Sequence, residues 1–158
     1  MDDYPSLLAD AVRTSLANLS AVDSVPGTPS GSILVERAEL PVLDLEDLDN
    51  LTVTVLDGED QGEVADRKGR HYQREIEIVV TLQQRIDGKV STADGKTKIR
   101  SFKSVVATAL SHMRSSKTDA QGNQYTPIRY NRIGLDRDQL REFGVAEAFL
   151  TVTYRAVI

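Results

Sequence analysis

Hydrophobic and polar positions alternate most regularly from Tyr72 to Ile86, YQREIEIVVTLQQRI. Tyr72, Ile76, Ile78, Val80, Leu82 and Ile86 take alternate positions, and Glu75, Glu77, Thr81 and Gln83 fill most of the gaps. A period of two over this length predicts a long strand with one face in a core and the other toward water. Such a strand needs neighbours on both sides. Leu51 to Leu56, LTVTVL, reads as one, with Leu51, Val53 and Val55 on one face. Asp57 to Gly69 reads as a polar loop in which Gly58 and its acidic neighbours turn the chain back, so antiparallel pairing is expected. Val145 to Ile158, VAEAFLTVTYRAVI, alternates in the same way and matches the central strand in length. It is expected to pair with that strand or near it.

A period of three to four appears twice. In residues 5 to 20, Leu8, Val12, Leu16 and Leu19 form one stripe, with Pro5 suited to the first helical position and Asp2 and Asp3 near the positive end of the macrodipole. In Ile99 to Ser116, Ile99, Phe102, Val106, Leu110 and Met113 form another. Between these elements the pattern predicts a breaker-rich loop over Ser20 to Ser32 and a short strand over Ile33 to Leu40. Asp44 to Asn50 is a turn or a single helical turn, Asp87 to Lys98 a loop with two Asp-Gly pairs, and Lys117 to Tyr125 another loop. Thr126 to Gly134 reads as a strand in which Pro127 argues for an edge or a strand start. Asp136 to Phe143 reads as a short helical turn with Asp136 as N-cap and Gly144 as its stop. The expected fold is α+β: one domain over residues 1–158, a mainly antiparallel sheet with two helices on one face, and a short helical turn before the last strand.

Composition removes several kinds of chemistry. The chain has 158 residues and no Cys, which excludes disulfides, thiolate catalysis and cysteine-based zinc sites. MDDYPSLL has no basic region followed by an apolar one, and no apolar run approaches the length of a membrane span, so a soluble intracellular protein is expected. Gly95-Lys96-Thr97 ends like a phosphate-binding loop, but Val90 stands where that motif needs Gly. Asp57, Glu59, Gln61 and Gly62 echo the first half of a calcium loop, but Lys68 occupies the position of its bidentate Glu. His71 and His112 each lack a second His at ligand spacing, and no serine lies in a G-x-S-x-G elbow. No catalytic residue, cofactor site or metal site is expected.

Charge is unevenly distributed. The formal net charge is −5, which argues mildly against general nucleic-acid binding. Glu36 to Asp66 holds eleven acidic residues and one basic one, whereas Arg67 to Arg141 holds sixteen basic and seven acidic. Ordinary solubilising charge is one reading of this layout. Two oppositely charged surfaces, suited to head-to-tail contact between copies, are the other. Arg129, Arg132, Arg137 and Arg141 cluster near Tyr125 and Tyr130 outside any known nucleic-acid motif, so an exposed basic face for acidic partners is the stronger reading.

Three stretches carry a resemblance that spans nearly the whole chain in order. LLADAVRTSLAN is followed by VERAELPVLDLEDLDNLTVTVL; REIEIVVTLQQRI forms the centre; LDRDQLREFGVAEAFLTVTYR closes the chain. This arrangement resembles the tail terminator, or tail-completion, proteins of long-tailed bacteriophages. The resemblance implies a structural virion protein of the tail and neck, assembled in the host cytoplasm. It would form a ring, commonly of six copies, on the head-proximal end of the tail tube. There it would stop polymerisation and present a surface to the head connector, with DNA passing through unread. Its partners would be further copies of itself, the tail tube protein and a connector or neck protein, with no membrane and no cofactor. On that reading Asp44, Glu46, Asp47 and Asp49 are expected to face Arg137 and Arg141, or another basic group, of the next subunit. Asp57, Glu59, Asp60, Glu63 and Asp66 are expected to form a loop lining the lumen. The alternatives are another head–tail joining protein, a small-ligand-binding domain or an enzyme of unknown type.

Overall fold

A computed structural model describes residues 3–17, 34–38, 52–56, 60–65, 72–85, 93–135, 137, 140 and 144–157. In chain order its elements are α1 (Tyr4–Ala17), β1 (Leu34–Arg37), β2 (Thr52–Leu56), β3 (Asp60–Ala65), β4 (Tyr72–Arg85), α2 (Ala93–Met113), β5 (Lys117–Thr118), β6 (Gln124–Ile133) and β7 (Val145–Val157). The strands form one sheet in the order β1-β2-β4-β7-β6-β5, with β3 also paired to β4. Among the described strands only β1 and β2 pair in parallel. The fold is α+β.

The long alternating segment is the centre of that sheet. Its partner β7 pairs along almost its whole length, from Gln73↔Val157 to Arg85↔Val145. β2 pairs antiparallel on the other edge, from Thr52↔Gln83 to Leu56↔Val79. Alternation puts Val53, Val55, Ile76, Ile78, Val80, Leu82, Ala146, Ala148, Leu150, Val152, Tyr154 and Ala156 on one face, all buried. Leu8, Ala9, Val12 and Leu16 of α1 and Phe102, Val105, Val106, Ala109, Leu110 and Met113 of α2 close the same core. Both helices therefore lie on one face and meet each other there. The Tyr154 hydroxyl, buried beneath α2, donates to the carbonyl of Met113. Leu140 also enters the core, its carbonyl accepts from the Gly144 amide at 3.0 Å, and Gly144 takes a φ of 65°. That is the positive-φ stop expected before the last strand. Asp136, the expected N-cap, lies outside the described residues.

Four local expectations are corrected. Within the acidic stretch read as a loop, residues 60–65 form β3, which pairs with β4 from Asp60↔Ile76 to Ala65↔Tyr72. β2 and β3 thus follow one another along the same edge of β4, and the chain reverses after Ala65, not at Gly58. Without β3 the first part of β4 would be paired only on its β7 side. A register shift between Asp60 and Glu63, across Gly62, breaks the alternation that marks a strand in sequence. Second, α2 begins at Ala93, so the second Asp-Gly pair opens a helix and does not lie in a loop. Third, Lys117 to Tyr125 is a hairpin, with Lys117↔Tyr125 and Thr118↔Gln124 paired. Fourth, the polar side of β4 is not uniformly toward water. Glu75 and Glu77 are half-buried, but Thr81 and Gln83 are buried together with their β2 partners Thr54 and Thr52.

A candidate assembly surface

β6 is the strand whose surroundings set it apart. β7 covers one side of it, from Tyr125↔Ala156 to Ile133↔Phe149. On its other side the two-residue β5 reaches only Gln124 and Tyr125. Among the described residues, no strand covers the outer edge from Thr126 to Ile133. Pro127 sits in this uncovered part, beside a register shift between Pro127 and Arg129, so the missing N–H costs no ladder bond on the open side. The expectation of an edge holds. An uncovered edge carries free backbone donors and acceptors and invites another chain.

Side chains of β6 divide between the two faces. Tyr130 and Arg132 stand opposite Val152 and Leu150 on the helix side, whereas Arg129, Asn131 and Ile133 stand opposite Thr153, Thr151 and Phe149 on the outer side. Among the described residues, Tyr130 and Ile133 are the large exposed apolar side chains, at 55% and 60% exposure. The Arg114 guanidinium, just past the end of α2, stacks on the Tyr130 ring at 4.1 Å from its centroid. A shallow groove beside it is lined by Ala107, Leu110, Ser111, Arg114 and Arg132. On the outer face Glu75 accepts from Arg129 and from Arg155, each at 2.9 Å. The two guanidinium groups, Arg155 first, hold the Glu75 carboxyl below its usual value.

The β5–β6 turn anchors the covered end of this strand. The Asp119 carboxylate accepts from the Gln121 and Asn123 amides, each at 2.9 Å, from the Asn123 side chain at 3.0 Å, and from the Tyr125 hydroxyl at 2.8 Å. Gly122 takes a φ of 85° to close the turn. Burial raises the Asp119 carboxyl, but those four bonds outweigh it and hold the group below its ordinary value. Burial, with Asp119 beside it, pushes the Tyr125 hydroxyl up. Lys117 is buried as well; its Nζ donates to the His112 carbonyl at 2.5 Å and to Ser115 Oγ at 2.6 Å, closing the C-terminal end of α2.

The sequence-derived site residues are only partly placed by this geometry. Asp44, Glu46, Asp47, Asp49 and Arg141 lie outside the described residues, as do Asp57, Glu59 and Asp66. Arg137 is exposed. Asp60 and Glu63 belong to β3, so the proposed lumen element is in part an edge strand and not a loop. The basic cluster read around β6 separates: Arg129 and Arg132 take opposite faces, and Tyr125 is fully buried. Arg114 was outside that cluster because the Arg114–Tyr130 stack joins elements distant in sequence. Among the described residues, no group of three or more His, Cys, Asp or Glu side chains could share a metal ion. No described helix is long and apolar enough to cross a membrane.

No protein-family model and no curated protein matches the chain. Solved structures do. One is a chain from the virion of a native gene transfer agent (GTA) particle, 10% identical, with a TM-score of 0.58 and all of both chains covered. At that identity the two chains share a fold.

Proposed function

We propose that the protein is a structural component of a phage-type virion, and that it forms the ring closing the head-proximal end of a tail tube. The end-to-end likeness in fold to a chain of a gene transfer agent virion carries the first part. The second part rests on the motif order from VERAELPVLDLEDLDN through REIEIVVTLQQRI to LTVTYR, which resembles tail terminator proteins. On this reading the chain has no catalytic role. Its partners are further copies of itself, the tube protein below and a connector or neck protein above, and DNA passes through without sequence recognition. The uncovered β6 edge, with Tyr130 and Ile133 exposed beside Arg114 and Arg132, suits such a role. Aromatic and arginine side chains dominate protein–protein contacts, and an open strand edge supplies main-chain donors and acceptors.

Electron microscopy of particles from a phage with a nonsense mutation in this gene tests the reading. Overlong tails detached from filled heads are expected, because an uncapped tube continues to polymerise. Tails of normal length that fail to join heads would assign the protein to the neck instead. Intact infectious particles would overturn both.

A further inference from the structure

The exposed side of α2 carries a basic stripe. Lys96, Arg100, Lys103, Ala107, Ser111 and Arg114 are all exposed, and their spacings of three and four residues place them along one line of the helix. At 1.5 Å per residue the line runs about 27 Å. No acidic residue occurs between Lys96 and Arg114. Lys96, Arg100 and Lys103 have no acidic partner among the described residues. Like charges three and four residues apart repel, so the stripe has an electrostatic cost that no acidic partner among the described residues offsets. At its C-terminal end Arg114 is held by its stack on Tyr130, and Arg132 of β6 lines the same groove. The stripe thus continues onto the helix side of the open sheet edge.

We propose that this surface, α2 from Lys96 to Arg114 together with Arg132, receives acidic side chains that flank the buried strand β2 within Glu36 to Asp66 of a second copy of the chain. This deepens the ring reading above and rests on it. Charge complementarity selects the occupant: the chain itself carries eleven acidic residues against one basic in that segment. A surface that meets a different surface on the next copy propagates head to tail, as a ring requires, whereas a self-complementary patch would stop at a pair. A nucleic-acid backbone fits less well. The chain is acidic overall, and Ala107 and Ser111 leave the middle of the stripe without charge. Exposed charges of this kind orient partners and speed their encounter more than they hold them, so the contact sets the register of the ring.

Carbodiimide cross-linking tests the pairing directly, because it joins amines to carboxylates only where they touch. Equal amounts of light and heavy-isotope protein are mixed and treated, both as the purified chain over a concentration series and in assembled particles. The expected result is mixed light–heavy cross-links between the Lys96 or Lys103 peptide and peptides of Glu36 to Asp66. Cross-links confined to single molecules, cross-links to a different protein, or none in either sample would overturn the proposal. A triple charge reversal, Lys96→Glu, Arg100→Glu and Lys103→Glu, is expected to lose at least tenfold in ring assembly while melting like the native chain. Adding Asp44→Lys, Glu46→Lys and Asp47→Lys should restore much of that loss. Native-like assembly by the reversed chain, with DNA retention altered instead, would assign the stripe to nucleic acid. Mixed cross-links in a protein whose nonsense mutant makes normal tails would uphold the contact and remove the terminator reading. The converse pair of results would remove the contact alone.

Discussion

Asp119 carries more interactions than its place in a short turn suggests. Its carboxylate collects four donors, one of them the hydroxyl of the fully buried Tyr125. Asp119→Ala leaves that hydroxyl and two amides without an acceptor, and is expected to cost about 2–3 kcal/mol in urea unfolding. Because the folded carboxyl titrates below its ordinary 3.8, its contribution is complete above that pH and is lost as pH falls through the folded value. Asp119→Asn should therefore flatten the acid limb of the stability curve. Lys117 has the opposite dependence. Burial lowers its amine to about 8 from an ordinary 10.5. Below pH 8 both folded and unfolded chains are protonated, and the burial cost is present in full. Between 8 and 10.5 the folded chain releases the proton while the unfolded chain keeps it, so this group adds stability as pH rises. Lys117→Met is expected to remove that rise, measured as the difference in unfolding midpoint between pH 7 and pH 9.5.

Pairings between elements account for what the residues alone do not show. Phe102, fully buried between α2 and the sheet, is expected to cost about 3–5 kcal/mol as Phe102→Ala. Thr54 and Thr81 face each other across β2 and β4, both at 0% exposure, and neither hydroxyl has a hydrogen-bond partner. Valine has nearly the same shape without the polar atom. The double replacement Thr54→Val and Thr81→Val is expected to leave stability unchanged or raise it, by up to about 3 kcal/mol. A clear loss in thermal unfolding would show that the hydroxyls are used. The same pair explains why the polar positions of β4 misled: alternation reports which face a residue takes, not whether that face is later covered. β3 and β5 were missed for related reasons. β3 is polar and interrupted by a register shift, and β5 is two residues long, so neither shows a period of its own. Each is a strand because β4 and β6 offer it unpaired backbone groups.

For the whole molecule, the two ends of the sheet order differ, and that difference is what an assembly can use. One side carries the acidic segment in its sequence, the other the open β6 edge and the basic line of α2. Raising the salt concentration from about 0.05 to about 0.5 M shortens the reach of such charges several-fold. On the proposed ring reading, it should slow assembly while leaving the melting temperature of the isolated chain nearly unchanged, as followed by light scattering and circular dichroism. A salt-insensitive rate would place the association energy in the apolar side chains Tyr130 and Ile133.

Some of this was settled by the sequence alone. The two long alternating stretches read as strands of matched length with one apolar face in a core, and the two three-to-four stripes as helices covering that face. Local periodicity is imposed by backbone geometry, and it survives in any context that buries one side. The α+β fold and the edge position of Pro127 follow from the same reasoning. Other features depended on neighbours distant in the chain. The continuation of β2 into β3, the burial of Thr81 and Gln83, the separation of Arg129 from Arg132 and the stacking of Arg114 on Tyr130 are consequences of register. Register is decided by which whole set of cross-strand contacts is lowest in free energy, and a one-residue slip would move every side chain to the other face. That choice belongs to the folded molecule, so the candidate surface was legible in the sequence only as charge, and the tertiary structure gave it a shape.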